Sequence, residues 1–222
     1  MEKIFDLVKE SRLFQGIAHG DFEKMLDCLS ARTRSYRKND VILLAGDMVS
    51  FVGMILVGGV DVVREDIDGH AVILTKYIAP ELFGEVFACA GIEHSPVTIR
   101  ASEDSRLLTM NYRKIITSCS QACPFHARLI ENMLSLLAQK YLMLSQKLDI
   151  ISERTTREKL LSFLDAQRGS EKKFTMPYNR EEMAHYLCVD RSALSKELGR
   201  MRDEGLIRFK RGEFEILGGV SE

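Results

Sequence analysis

No apolar run in this chain approaches the roughly 20 residues that a helix needs to cross a bilayer, so a membrane span is not expected. Charge of one sign is also missing. A formal net charge of −1 over 222 residues gives no global attraction to nucleic acid or membrane, and any such binding must come from a local patch. The five cysteines (Cys28, Cys89, Cys119, Cys123, Cys188) are scattered. Their only close pair, Cys119 and Cys123, lacks the two-residue gap of a zinc knuckle or a thioredoxin-type motif. Separate buried thiols are the plain reading, with a redox or metal switch as the alternative. There is no glycine-rich phosphate loop, no nucleophile paired with a base and no metal cluster, and the five histidines are dispersed. Neither an enzyme nor a bound metal is expected. The N-terminal MEKIFDLVKES mixes charged and apolar residues like a short amphipathic helix rather than a signal peptide, so the cytoplasm is the expected location.

What is present falls into zones. Phe14, Ile17, Phe22, Met25, Leu26 and Leu29 recur at helical spacing in the first 30 residues. From about 33 to 111 the texture is short and β-rich. The runs VILLAG, FVGMILVGG, VDVVRED, HAVILTKYI, VTIRA and SRLLTMN are broken by Gly46, Gly58–Gly59, Asp68–Gly69 and Pro80. Asp68–Gly69 between β-branched runs predicts a tight hairpin, and strands every ten residues or so predict a small antiparallel barrel or roll. Inside it, FGEVFACAGIEHSPVTIRA predicts a short helix that could wall off a pocket.

The strongest periodicity follows Pro124, a favoured first helical residue. Ile130, Leu134, Leu137, Tyr141, Leu144, Leu148 and Ile151 fall at alternating gaps of four and three, an unbroken heptad seam. Leu129, Met133 and Leu136 widen one flank. A seam plus a flank predicts a helix that pairs with its symmetry mate and also packs on its own roll. A break at 152–154 precedes Thr155 and Glu158, which are spaced for a capping box.

The last segment predicts two helices joined by a three-residue turn. Asn179 caps the first, Arg180 to Leu187. Asp190 caps the second, from Arg191 to about Glu204, with Leu194, Leu198 and Met201 as its buried stripe. The outer face carries Arg191, Ser192, Ser195, Lys196 and Arg200. LIRFKRGEFEIL then reads as a β-hairpin wing turning at Arg211–Gly212. Two helices joined by such a turn, with basic residues opening the second, predict a helix-turn-helix reader of double-stranded DNA. Residues 152–222 hold 14 basic and 13 acidic groups, yet 191–202 hold four basic against one acidic, and 208–211 add three more.

With these parts in this order, the chain resembles the Crp–Fnr transcription regulators. The resemblance implies an α+β fold in which an N-terminal antiparallel β-roll of the double-stranded β-helix or jelly-roll type (1–123) senses an effector. A long dimerisation helix (124–151) and a C-terminal winged helix-turn-helix (152–222) follow. It also implies a homodimer on a palindromic operator, RNA polymerase as a further partner, and an activator role. Carried over by position, Arg191, Ser192 and Lys196 match the base readers, with Arg191 the guanine reader. Arg180, Ser195, Arg200, Arg208 and Lys210 suit phosphates, which position without specifying. Two departures stand out. Ser192 replaces a residue that is often acidic, and Cys188 replaces a common turn glycine.

The effector site implied by the resemblance comprises Gly84, Glu85, Val86, His94 and Ser95. Cyclic-nucleotide binders of the family follow Gly-Glu with Arg-Ser. Here His94 replaces the bidentate guanidinium and Pro96 removes an amide donor, which argues against cyclic AMP. The N-terminal helix lacks the clustered cysteines of iron–sulfur sensors. The cofactor is left unknown. The expected occupant is another small molecule, with haem- or thiol-based sensing, or regulation without an effector, as alternatives. Cys89, His94, His70 and His126 are candidate haem ligands, and their spacing singles none out.

Overall fold

A computed structural model of the chain describes residues 2–65, 71–117, 123–210 and 212–217, which form two compact units, Met1–Ala138 and Gln139–Glu222. In the first unit, α1 (Glu2–Val8), a 3-10 turn (Arg12–Phe14) and α2 (His19–Cys28) bury Phe14, Phe22, Met25 and Leu26, as the spacing predicted, and Val8 and Leu13, which it did not mark. Among the described residues the strands that follow are β1 (Arg32–Tyr36), β2 (Val41–Leu43), β3 (Phe51–Val57), β4 (Gly59–Glu65), β5 (Ala71–Ile78), β6 (Leu82–Phe83), then after α3 (Glu85–Cys89) β7 (Thr98–Ala101) and β8 (Ser105–Asn111). They build two antiparallel four-stranded sheets, ordered β1-β8-β3-β6 and β2-β7-β4-β5. Met54, Ile55, Leu107 and Met110 from one sheet and Val60, Val62 and Ile99 from the other share a single core. This is the predicted roll with its helical insertion. The Asp68–Gly69 turn lies outside the described residues, although β4 and β5 pair antiparallel as a hairpin requires.

Two strands have no apolar alternation to reveal them. β1, RTRSY, is almost wholly exposed and edges its sheet through β8. β6 is two residues long, and its place is set by a close approach. Gly53 faces Phe83, and a Cβ there would lie 2.1 Å from the Phe83 ring. Gly53 thus makes room for the buried ring that leads directly into Gly84 and Glu85.

After α4 (Tyr112–Ile116) the long helix α5 (Pro124–Ser152) begins. Its flank residues Leu129 and Met133 join the roll core together with Phe125, and the flank residue Leu136 and the seam residue Leu137 pack against it. The boundary between the units falls within this helix, after Ala138. In the second unit Ile150 shares a core with α6 (Thr156–Arg168), β9 (Lys173–Thr175), α7 (Arg180–Tyr186), α8 (Arg191–Asp203) and the hairpin β10 (Ile207–Lys210) and β11 (Glu213–Ile216). Thr155 and Glu158 form the expected capping box at the start of α6. β9 adds a third strand to the wing, in the order β10-β11-β9. It was not foreseen, because KFT sits inside a polar stretch with one side chain facing in.

Candidate nucleic-acid interface and ligand frame

The reader is built by two helix ends. Asn179 accepts hydrogen bonds from the amides of Glu181 and Glu182, while the Glu182 carboxylate accepts the Asn179 amide, so α7 starts as its sequence predicted. At its end Cys188 adopts a left-handed φ of 53°. The Cys188 amide donates to His185 O and the Val189 amide to Ala184 O, the paired bonds of a Schellman cap. That geometry usually takes glycine. Cys188 occupies it with a Cβ, so the turn keeps its shape despite the substitution. The same paired bonds end α2 at Ser30, α3 at Gly91 and α8 at Gly205.

Asp190 sits at the N-cap position of α8, but its side chain makes no capping bond. This corrects the expectation drawn from its residue type: position alone does not orient a carboxylate onto the helix amides. Leu194, Leu198 and Met201 are buried, as their spacing required. α8 is further clamped by Arg157 on α6. Its Nε donates to Glu197 at 2.7 Å and its Nη2 to both Glu204 oxygens at 2.6 and 2.7 Å. The Glu204 and then the Glu197 bonds push the guanidinium pKa up. This clamp was missed, because Glu197 and Glu204 face Arg157 only once the helices have packed.

With its inner face held, α8 exposes Arg191, Ser192, Ser195 and Lys196, whose side chains have no partner among the described residues. Arg200, also exposed, approaches Glu197 at 3.4 Å. On the wing, exposed Arg208 lies 3.5 Å from Glu215 and Lys210 is exposed; Arg211 lies outside the described residues. Arg180 differs from these. Its guanidinium lies over the rings of Phe209 (4.6 Å) and Phe214 (5.2 Å), and burial lowers its pKa. Stacking of this kind fixes a flat cation in place, so Arg180 also joins the start of α7 to the wing.

The ligand frame looks different. Gly84, at φ 80°, N-caps α3, and Glu85 is only 1% exposed, while Val86 is exposed. Burial raises the Tyr77 pKa first, with the charges of Glu85 and Glu81 adding to it; burial and then Glu85 raise that of Cys89. Residues 93–95 run against 46–49 as a clasp. The Ser95 amide donates to Asp47 O, the Gly46 amide to Ser95 O, and the Val49 amide to Glu93 O, each at 2.8 Å. The buried Ser95 hydroxyl donates to Val97 O at 2.6 Å and also accepts the Val97 amide. Exposed His94 lies with Nδ1 2.9 Å from Gly46 O. A carbonyl only accepts, so Nδ1 carries the proton.

Comparison with known proteins fits this division. Residues 33–121 match the model of the cyclic nucleotide-binding domain, and residues 158–218 that of the Crp-like helix-turn-helix domain. The chain belongs to the Crp–Fnr family of DNA-binding transcription regulators. It is 22% identical over 202 residues to the transcriptional activator protein FnrA of Stutzerimonas stutzeri, covering 88% of this chain and 80% of that one. To the transcriptional activator protein FnrL of Cereibacter sphaeroides it is 25% identical, covering 78% and 71%. Among solved structures it is similar in fold to the catabolite activator protein of Thermus thermophilus (TM-score 0.52, 24% identity, 93% of each chain). The c-di-GMP-responsive global regulator CLP of Xanthomonas campestris is another (TM-score 0.56, 16% identity, 91% of this chain and all of that one). The chain is thus a regulator rather than an enzyme, and no helix among its described residues is long and apolar enough to cross a membrane.

For a Crp–Fnr chain, the question at the frame is whether it fits a cyclic phosphate. Such an anion needs unengaged N–H donors and a guanidinium. The Ser95 amide and hydroxyl are bound to the protein's own carbonyls, and the His94 Nδ1 proton to another. These residues do not fit a cyclic phosphate held in the way the family motif implies. Of the candidate haem ligands, Cys89 and His94 are exposed, His126 is buried, and His70 lies outside the described residues.

Proposed function

We propose that this Crp–Fnr regulator is a homodimeric transcription activator whose two α8 helices read the half-sites of a palindromic operator. The observation that carries the reading is the face of α5. Leu134, Tyr141, Leu144 and Leu148 are 63%, 69%, 57% and 51% exposed, with Ile130, Leu137 and Ile151 part-exposed in the same row. Leu137 packs against the roll core, and the large apolar side chains left open at heptad positions around it match the seam of a paired helix. Residues 124–151 then serve as the dimerisation helix between the sensing segment 1–123 and the reader 152–222. Arg191, Ser192 and Lys196 read bases, Arg191 as the guanine reader. Ser195, Arg200, Arg208 and Lys210 contact phosphate, and Arg180 adds to this from its stacked position. The activator role follows the named relatives, with RNA polymerase as the further partner and the cytoplasm as the location.

The effector is a small molecule other than cyclic AMP, bound in the roll near Gly84, Glu85, Val86, His94 and Ser95. A second reading, regulation without an effector, is favoured by the internally bonded clasp of 93–95. The test is selection from a random duplex library by the purified full chain. An inverted repeat with half-sites about one helical turn apart is expected. Enrichment of an unrepeated site, or of none, overturns the dimeric reading.

A further inference from the structure

Three side chains far apart in the sequence converge where the N-terminal helices meet the start of α5. Cys28 ends α2, Cys123 directly precedes α5, and His126 lies in the first turn of α5. One ligand atom from each lies within 4.8 Å of the other two. The His126 Nε2 is 3.9 Å from Cys28 Sγ, across 98 residues of chain, and 3.0 Å from the Lys114 carbonyl oxygen. In an occupied tetrahedral site with two thiolates and one imidazole, ligand atoms stand about 3.5–3.8 Å apart. The observed spacing is therefore close to what a bound cation would draw together.

The surroundings also suit a metal. His126 is 3% exposed, and its Nδ1 is buried with no hydrogen-bond partner among the described residues. A buried ring nitrogen in that state is uncommon. The nitrogen nearest Cys28 is Nε2, which also meets the Lys114 carbonyl oxygen, so cation binding uses the Nε2 lone pair, leaves the ring proton on Nδ1 and gives up the Lys114 contact. Cys28 and Cys123 are half-buried and outside any disulfide, which leaves a path for an ion to enter.

We propose that Cys28, Cys123 and His126 form a binding site for a thiolate-preferring divalent cation of the zinc class, with a fourth position open to solvent or another ligand. Two sulfurs and an imidazole select zinc or cobalt over magnesium or calcium, which prefer oxygen. Binding deprotonates the thiols and releases their protons to solvent. The bound ion ties α2 to the first turn of α5, stabilising the first unit by mass action. This site is separate from the ligand frame in the roll and from the DNA reader.

The experiment uses the reduced full chain and Co²⁺ as a spectroscopic probe, with Zn²⁺ as competitor. The expected result is one Co²⁺ per chain, with a thiolate-to-cobalt charge-transfer band that Zn²⁺ abolishes and a higher unfolding temperature with Zn²⁺. Cys28→Ser and Cys123→Ser lose the band, and His126→Gln weakens binding roughly tenfold or more. Cys89→Ser and Cys188→Ser leave it unchanged. Circular dichroism of each apo variant separates loss of a ligand from loss of fold, and the half-buried Cys123→Ser, a near-isosteric change, is the decisive variant. The proposal is overturned if the wild type shows no band, if folded Cys123→Ser keeps it, or if Cys28 and Cys123 are found joined in a disulfide that excludes cobalt.

Discussion

The clasp at 93–95 and the outer face of α8 are both polar, and they treat their polar groups in opposite ways. In the clasp, the Ser95 amide, carbonyl and hydroxyl and the His94 Nδ1 all bond to nearby backbone. On α8, the side chains of Arg191, Ser192, Ser195 and Lys196 face solvent with no partner among the described residues. Buried or clasped groups satisfied by the protein itself stabilise a shape. Charged groups held on a rigid helix and left unengaged are available to a partner. The α5 seam is the apolar counterpart of the α8 face: large side chains in strict register, left open. The difference shows why the α8 face is open to a partner and the 93–95 clasp is not.

The largest test of this contrast is at the seam. Leu144→Glu with Leu148→Glu alters exposed positions, so each chain should stay folded while the dimer falls apart. Operator affinity should drop roughly 10²- to 10⁴-fold as the two readers lose their link, seen by sedimentation and gel shift together. A monomer that kept its affinity would remove the seam from the functional account. Next is the reader itself. Arg191→Ala should cost about 1–3 kcal/mol at a single base pair of the operator, whereas Arg208→Ala should weaken all duplexes alike and lower the salt dependence. Binding to a panel of single-base operator variants distinguishes the two, and a uniform loss for Arg191→Ala would make it a phosphate contact.

A smaller effect is expected in the turn. Cys188 holds a left-handed φ that costs a residue with a Cβ about 1 kcal/mol or more, so Cys188→Gly should raise the unfolding free energy of the second unit by up to about 1 kcal/mol without changing operator choice. Chemical denaturation reads it, and a loss of stability would show that the thiol makes a contact worth more than the strain. Smallest of all is the change at the clasp. His94→Arg restores the family's guanidinium, yet the Ser95 donors remain engaged. Calorimetry should therefore detect no cyclic AMP binding, and tight binding by this single variant would show that the clasp opens readily.

Much of the second unit was legible because its signals are local. The Asn179 and Thr155 caps and the Leu194–Leu198–Met201 stripe each depend on residues a few positions apart, as do the heptads of α5, which run through both units. In the first unit the roll and its helical insertion were readable from glycine-punctuated runs. β1 and β6 were not, since one is too polar and the other too short to show a period. Cys188 and Ser30 sit in left-handed caps that residue type would not predict. Asp190 looked like a cap and makes no such bond. Arg157, Glu197 and Glu204 gave no sign of meeting until α6 and α8 packed.

The sequence by itself determined the order of parts, the exposed basic helix and the open heptad row, because hydrophobic periodicity and capping act over one or two turns of chain. Only the tertiary structure decided that the donors of the 93–95 clasp are already bonded to backbone carbonyls, and that Cys28, Cys123 and His126 share one place. Both depend on segments 40 to 100 residues apart being brought together by the two sheets and the start of α5, and no local pattern encodes a contact of that range.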